Sequence, residues 1–435
     1  MKGAPTTRDT GRPSAAGAAP ARCLLRNALV ATCDRGPGDA GVIARGAVAI
    51  SDGVVSWVGP DRELEAAVET EGAEVVDCGG RLVTPGLVDS HTHLVFAGDR
   101  ASEVALRSSG RSYAEIARRG GGIASTVRAT RGATDEELLG QALVRARRLL
   151  GAGVTTVEVK SGYGLSVAEE LRLLRVVREL GRRLEPLVSV VPTLLAAHAV
   201  PPGGSRREWL DAVVEELLPA VAEERLARFQ DAFVDEGAFT AEEARRVLEA
   251  GARRGLVPRV HADQLTPSGG ARLAAQLGCA SADHLEHVDD AAIASLAASG
   301  VTAGLLPTST LFLGMTRFAP ARRLLDAGVT VALATNVNPG SAPSESPSLT
   351  LGLASAQLGM SPGEALVAFT AGGARALRLT GVGCLTRGAA ADLVVWGCRT
   401  VEHLCWHLGV DHALRVMKNG RFVHEALQGA AADCP

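Results

Sequence analysis

The sequence predicts an α/β fold: a (β/α)8 barrel carrying a small β-sandwich domain built from both chain ends. Three observations point there. The 435 residues exceed what one compact core usually holds, so two structural units are expected. The middle of the chain alternates helix-period stretches with short β-branched runs. Both ends read as strand and turn alone, each with a tight hairpin. The expected boundaries are a disordered tail over 1–22, a composite β domain from 23–85 and 376–428, and the barrel over 86–375.

In chain order, Met1 to Arg22 is rich in Ala, Gly, Pro, Thr and Arg, with no apolar stretch of the kind a signal peptide carries. Val42–Ile50 and Val54–Gly59 flank Ser51-Asp52-Gly53, whose Asp-Gly suits a two-residue hairpin turn. The same texture returns near the C-terminus. A strand is predicted over Gly388–Trp396, and a second hairpin over Leu414–Val423 on Asn419-Gly420. Between these flanks three helices announce themselves by capping boxes. They open at Thr134-x-x-Glu137, Ser166-x-x-Glu169 and Thr240-x-x-Glu243, and are predicted to stop at Gly151, Gly181 and Gly251. Eight strand candidates start near Val83, Val154, Leu187, Ala227, Val257, Ala280, Val301 and Val329. Several are apolar on both faces, as parallel strands are. Eight such units in about 290 residues fit a barrel of this type. A doubly wound open sheet is the alternative, weakened because no Gly-rich phosphate fingerprint follows the first strand.

Composition narrows the function. Hydrophobic residues make up 46% and charged residues 21%, an ordinary globular balance. A net charge of -3 gives no electrostatic case for nucleic acid or an anionic membrane surface. No window is long and apolar enough to span a bilayer. The 8 cysteines form no C-x-x-C pair, so reduced thiols in a cytoplasmic protein are expected.

The chemistry gathers at predicted strand ends, where barrels of this type carry their active sites. The first run, Val83-Thr84-Pro85-Gly86-Leu87-Val88-Asp89-Ser90, ends in His91-Thr92-His93. In an extended segment residues i and i+2 share a side, so two imidazoles can aim at one point. Imidazole is the commonest neutral ligand of zinc-like metals, though His-x-His alone also occurs as two ordinary loop histidines. His198, His261 and His284 follow at the ends of strands three, five and six. Any one of these could be a packed structural histidine, but five at one rim are hard to explain as packing. The chain's two tyrosines, Tyr113 and Tyr163, sit in Gly-rich segments without periodicity, where a phenol can donate to a ligand or simply pack a loop. Lys160 could be a carbamylated metal bridge. Glu158 on the same strand face favours a structural ion pair instead.

These residues resemble the amidohydrolase superfamily and, within it, the imidazolonepropionase family. The resemblance rests on Pro85-Gly86 through His93, His91–Arg100, Gly120–Val127, Glu158–Leu165, Ala197-His198-Ala199, Ser281–Leu285 and Asn338–Ser341. It implies hydrolysis of 4-imidazolone-5-propanoate to N-formimidoyl-L-glutamate, with one divalent zinc or iron ion activating water. It further implies metal ligation by His91, His93 and His261, with Asn336 at the position closing strand eight. Substrate contacts fall to Arg100, Tyr113, Tyr163, His198, Gln264, Asn338, Gly340 and Ser341. His284 is implied as proton shuttle, with Gln264 and Asn336 beside the reacting centre. A small-molecule substrate and a homodimer complete the expectation. A guanidinium fork and phenol donors suit a propanoate tail.

The chain departs from the family pattern at two positions. Asn336 stands where the family usually has Asp, and Gln264 where it often has Glu. An amide oxygen can coordinate but cannot act as a base near neutral pH. Two other readings therefore stand beside the first: a related hydrolase or deaminase on another ring or formimino substrate, and a non-catalytic ligand-binding paralogue.

Overall fold

The computed structural model describes residues 21–36, 38–111, 115 and 121–426. Among these residues sixteen strands form two eight-stranded sheets. The flanks supply β1 (Cys23–Ala31), β2 (Val42–Ser51), β3 (Val54–Pro60), β4 (Glu74–Asp77) and β5 (Leu82–Pro85). The barrel follows with β6 (Leu87–Asp89), β7 (Val154–Lys160), β8 (Ser189–Ala197), β9 (Phe229–Val234), β10 (Val257–Ala262), β11 (Ser281–His284), β12 (Thr302–Leu305) and β13 (Val331–Leu333). The chain returns to the first sheet as β14 (Leu393–Trp396), β15 (Ala413–Lys418) and β16 (Arg421–Glu425).

The flanking sheet runs β16-β15-β14-β5-β1-β2-β3, with β4 paired to β1. Both hairpins turn where the sequence places them. Asp52 and Gly53 have φ of 50° and 81°, and Asn419 and Gly420 of 48° and 76°, the pair of positive φ values that the tightest hairpin turn needs. The sheet curls until these two turns meet, with Ala391 N donating to Gly53 O and Gly420 N donating to Ala391 O. An apolar core of Leu25, Val48, Ile50, Val55, Leu393 and Met417 fills the fold between them.

The first barrel strand differs from the expected one. Val83 belongs to β5, which pairs with β1 and β14 in the flanking sheet, and the barrel begins only at Leu87. Gly86 is the break. A side chain there would sit 2.2 Å from Thr155 Oγ1, so only glycine lets the chain pass from one sheet to the other against β7. From β6 to β13 every neighbouring pair is parallel. The last seam is closed past the strand ends, where Asn336 N donates to His91 O and His93 N donates to Val337 O.

The predicted helices form over Asp135–Gly151, Val167–Leu184 and Ala241–Ala252. Thr134 and Thr240 make full capping boxes, and Ser166 accepts from Glu169 N. The first helix ends at Gly151 as expected, but the other two glycines are not stops. Gly181 and Gly251 lie inside their helices. At Gly251 an added Cβ would meet Gln230 Oε1 at 2.0 Å, so tight helix–strand packing requires that glycine. After Gly151 the residue with positive φ is Gly153 (98°).

Candidate active site

The rim above β6–β13 gathers the five strand-end imidazoles into one cluster. Ring centroids lie 4.4 Å apart for His91–His261, 5.4 Å for His91–His93, 5.3 Å for His261–His284 and 5.5 Å for His93–His198. Ligand nitrogens of His91, His93 and His261 all fall within 4.8 Å of one another. The three are buried, so water competes poorly for them.

Local structure fixes each ring. Thr92 is pinned by Glu158, which accepts from Thr92 N (3.1 Å) through its carboxylate and from Thr92 Oγ1 (2.6 Å) through its carbonyl, so the histidines on either side are held. His91 Nδ1 meets Asp283 Oδ2 at 2.8 Å, which leaves Nε2 buried without a protein partner among the described residues. His261 Nδ1 lies 3.0 Å from Asp231 Oδ2. Burial, then the nearby Lys160 ammonium, pushes His91 well below the ordinary imidazole pKa. Burial and the neighbouring His198 do the same at His93. His261 is also lowered, by burial first, against the opposing pull of Asp231. All three rings are neutral near pH 7, the form that ligates metals. Orphaned buried nitrogens, neutral rings and carboxylates behind two of them fit a divalent cation well.

Asn336 joins the cluster with φ of 56°, a left-handed conformation that Asn and Asp tolerate best among non-glycine residues. Its Oδ1 is buried without a partner among the described residues. Next to the cluster lies a cavity of about 250 Å³, lined by His93, Arg100, Tyr163, His198, His261, Gln264, His284 and Asn336 together with Asn338, Gly340 and Ser341. That volume suits a small metabolite rather than a drug-sized ligand. Ile123, Phe233, Leu265, Leu313 and Met315 complete the wall, and none of them is among the expected substrate contacts.

The polar wall is prearranged. Arg100 Nε donates to Thr126 Oγ1 (2.9 Å), and a Cβ at Gly340 would stand 2.2 Å from Arg100 Nη1, so the glycine makes room for the fork. Tyr163 sits on a loop whose Gly162, Gly164 and Leu165 amides all donate to the buried carboxylate of Glu170. His198 Nδ1 meets Gly162 O at 2.9 Å, a contact only a protonated Nδ1 can make, so Nε2 is the acceptor. Burial pushes this ring down to about 3. Gln264 Nε2 donates to Ser309 Oγ (3.3 Å). The Asn338 side chain is committed to its own loop, accepting from Gly340 N and Ser341 N and donating to Asn336 O. His284 is buried with φ of 85°, and its Nδ1 is 3.9 Å from Glu286 Oε1. Tyr113 lies outside the described residues.

Beneath the cluster the barrel interior is ionic, where branched apolar side chains usually fill it. Lys160 Nζ contacts Glu158 (2.7 Å) and Asp231 (2.8 Å). It is therefore a structural ion-pair lysine in this arrangement. Arg259, fully buried, reaches Asp283 at 2.9 Å and Glu158 at 3.5 Å. Asp231 and Arg259 were missed from sequence. Their only signal was a charged residue inside each of two apolar runs, Phe229–Val234 and Val257–Ala262.

The chain matches the Amidohydrolase family model over residues 82–423. It is 63% identical over 416 residues to the imidazolonepropionase of Anaeromyxobacter dehalogenans (strain 2CP-1), covering 95% of this chain and 99% of that protein. It is 55% identical over 387 residues to the imidazolonepropionase of Myxococcus xanthus, covering 88% and 91%. Among solved structures, 5-methylcytosine deaminase from Klebsiella pneumoniae, liganded with phosphonocytosine, aligns with a TM-score of 0.69 at 18% identity, covering 93% of this chain and 98% of that one. An adenosine deaminase from Xanthomonas campestris with bound zinc aligns at 0.64 and 21%, covering 93% of each. At such identities the likeness shows the fold. Among the described residues, no helix is long and apolar enough to cross a membrane.

Proposed function

Because the chain belongs to the amidohydrolase family, and within it to the imidazolonepropionases, we propose that this cavity hydrolyses 4-imidazolone-5-propanoate to N-formimidoyl-L-glutamate. The observation that carries the reading is the convergence of His91, His93 and His261 beside a small cavity that Arg100 lines. These three imidazoles would hold one divalent ion, zinc or iron, with Asn336 offering an amide oxygen. When bound, the ion supplies Lewis acidity toward water and the ring carbonyl.

The side chains divide the remaining work. The Arg100 fork pairs with the propanoate carboxylate, a planar match that a lysine cannot reproduce. His198, neutral through burial, accepts from a ring N–H through Nε2. Gln264 and Tyr163 hydrogen-bond the ring edge and the tail. In hydrolysis a hydroxyl joins the carbonyl carbon, the bond to the ring nitrogen breaks, and a proton must reach that nitrogen. The amide of Asn336 cannot carry the proton. Of the other imidazoles lining the cavity, His93 and His261 would be taken up in holding the ion, and His198 is held neutral with Nδ1 engaged. His284 therefore takes the proton from water and returns it to nitrogen.

The test is turnover of purified protein on 4-imidazolone-5-propanoate, with metal analysis of the same sample. About one ion per chain is expected, as three imidazoles bind such metals firmly. Protein that holds none and takes up none on reconstitution refutes the reading. The amide at 336 favours one second reading, a non-catalytic ligand-binding protein. Turnover of His284→Ala and Asn336→Asp separates the two. On the first reading His284→Ala loses about 10²–10⁴-fold in kcat and Asn336→Asp changes little. A large gain from Asn336→Asp, with little loss from His284→Ala, would favour the second. A homodimer is the assembly this reading expects, measured by sedimentation.

A further inference from the structure

Among the described residues the candidate ligand cluster holds three histidines and no carboxylate, with the Asn336 amide lining the adjoining cavity. A divalent ion there would be surrounded by neutral protein donors in a buried site. Uncompensated charge in such a place is costly, so counter-charge must come from nearby. Behind the histidines stand Glu158, Asp231 and Asp283, against the cations Lys160 and Arg259, all fully or almost fully buried. Three carboxylates facing two cations leave one negative charge in the barrel floor. Two of those carboxylates contact ligand rings on the ring's other nitrogen: Asp283 at His91 Nδ1 (2.8 Å) and Asp231 at His261 Nδ1 (3.0 Å).

The fold makes room for this arrangement. A Cβ at Gly304 of β12 would stand 2.2 Å from Asp283 Oδ1. Parallel register sets His261 opposite Asp283 and Arg259 opposite Asp231. Positions two apart on one strand then carry a candidate ligand and a supporting cation, Arg259 with His261 on β10, or two supporting charges, Glu158 with Lys160 on β7.

We propose that Asp283 and Asp231 are positioning residues that supply, through His91 and His261, the negative charge the neutral ligand set lacks, with Arg259 and Lys160 fixing them in place. The inference rests on the metal reading above, and its test separates the two. The probe is Zn²⁺ alone, competed against a chromogenic chelator, so the readout needs no substrate. Asp283→Asn keeps an acceptor for His91 Nδ1–H and removes only the charge. It is expected to weaken Zn²⁺ binding about 10–100-fold, the usual effect of losing such a partner. Adding Asn336→Asp returns a carboxylate to the site. It should recover at least about tenfold of affinity in the Asp283→Asn background and much less in the wild type, as coupled neighbours behave.

Asp283→Asn leaves Arg259 buried and unpaired, which can unfold a protein. The double variant Arg259→Met/Asp283→Asn removes that cation and is read in the same way. Melting of the metal-free forms identifies which variant is folded. Wild-type affinity in a folded Asp283→Asn or double variant overturns the inference, as does equal gain from Asn336→Asp in both backgrounds. Absence of Zn²⁺ binding by the wild type overturns the metal reading itself.

Discussion

Arg100 illustrates how much one residue can decide in this site. Its Nε is spent on Thr126, and the rest of the fork lines the cavity where Gly340 leaves space. Arg100→Lys keeps a charge and loses the planar pair of donors. KM for 4-imidazolone-5-propanoate is expected to rise about tenfold or more with kcat nearly unchanged, because a contact to a non-reacting carboxylate contributes equally before and at the transition state. Steady-state kinetics checks this, and an equal fall in kcat would place Arg100 at the reacting centre instead. Asn336 and Gln264 also act at this scale. Each is an amide, so neither supplies a charge, and the proposed reaction assigns the proton work to His284.

The strands contribute through glycine positions as much as through ligands. Gly304 on β12 gives Asp283 its space, and Gly86 lets the chain leave β5 for β6 against Thr155. Gly304→Ala puts a methyl group where the Asp283 carboxylate stands. The expected cost is about 1–3 kcal/mol of stability, as for other overpacked cores. Loss of bound metal should accompany it, because Asp283 cannot move without releasing His91. Denaturant melts with metal analysis read both effects, and unchanged metal content would show that the carboxylate has somewhere else to go. The loop Gly162–Leu165 behaves as an element too, since three of its amides converge on Glu170 and so hold Tyr163 at the cavity wall.

The whole molecule responds to pH through the same buried groups. In metal-free protein His91, His93, His198 and His261 all have imidazoles held below their ordinary range, chiefly by burial, His198 to about 3. The unfolded chain takes up these protons near pH 6.5 and the folded chain does not. Their contribution is therefore present above about pH 6.5 and lost as pH falls below it. Asp89 works the other way. Burial raises it to about 7, so its contribution is present at low pH and lost as pH rises toward 7. Glu170, raised mainly by burial, has the same sign as Asp89. Four imidazoles outweigh two carboxyls, so the melting temperature of metal-free protein should fall between pH 7.5 and pH 5. Metal should raise it at pH 7.5, since a ligand that binds only the folded state stabilises it. A flat melting profile would mean that these histidines are exposed in solution.

The sequence by itself determined the parts with a local cause. Asp52-Gly53 and Asn419-Gly420 turn because small polar residues and glycine accept positive φ, and Thr134 and Thr240 cap because a hydroxyl reaches the amide three residues on. His91 and His93 share a side because extended backbone repeats every two residues. Only the tertiary structure decided what depends on parallel register between strands far apart in the chain. It moved Val83 into the flanking sheet and kept Gly181 and Gly251 inside their helices. It also brought Asp231, Arg259 and Asp283 under the histidines. A charged residue inside an apolar run looks like an interruption until its partners on neighbouring strands are known, because the desolvation cost of each charge is offset only by the others.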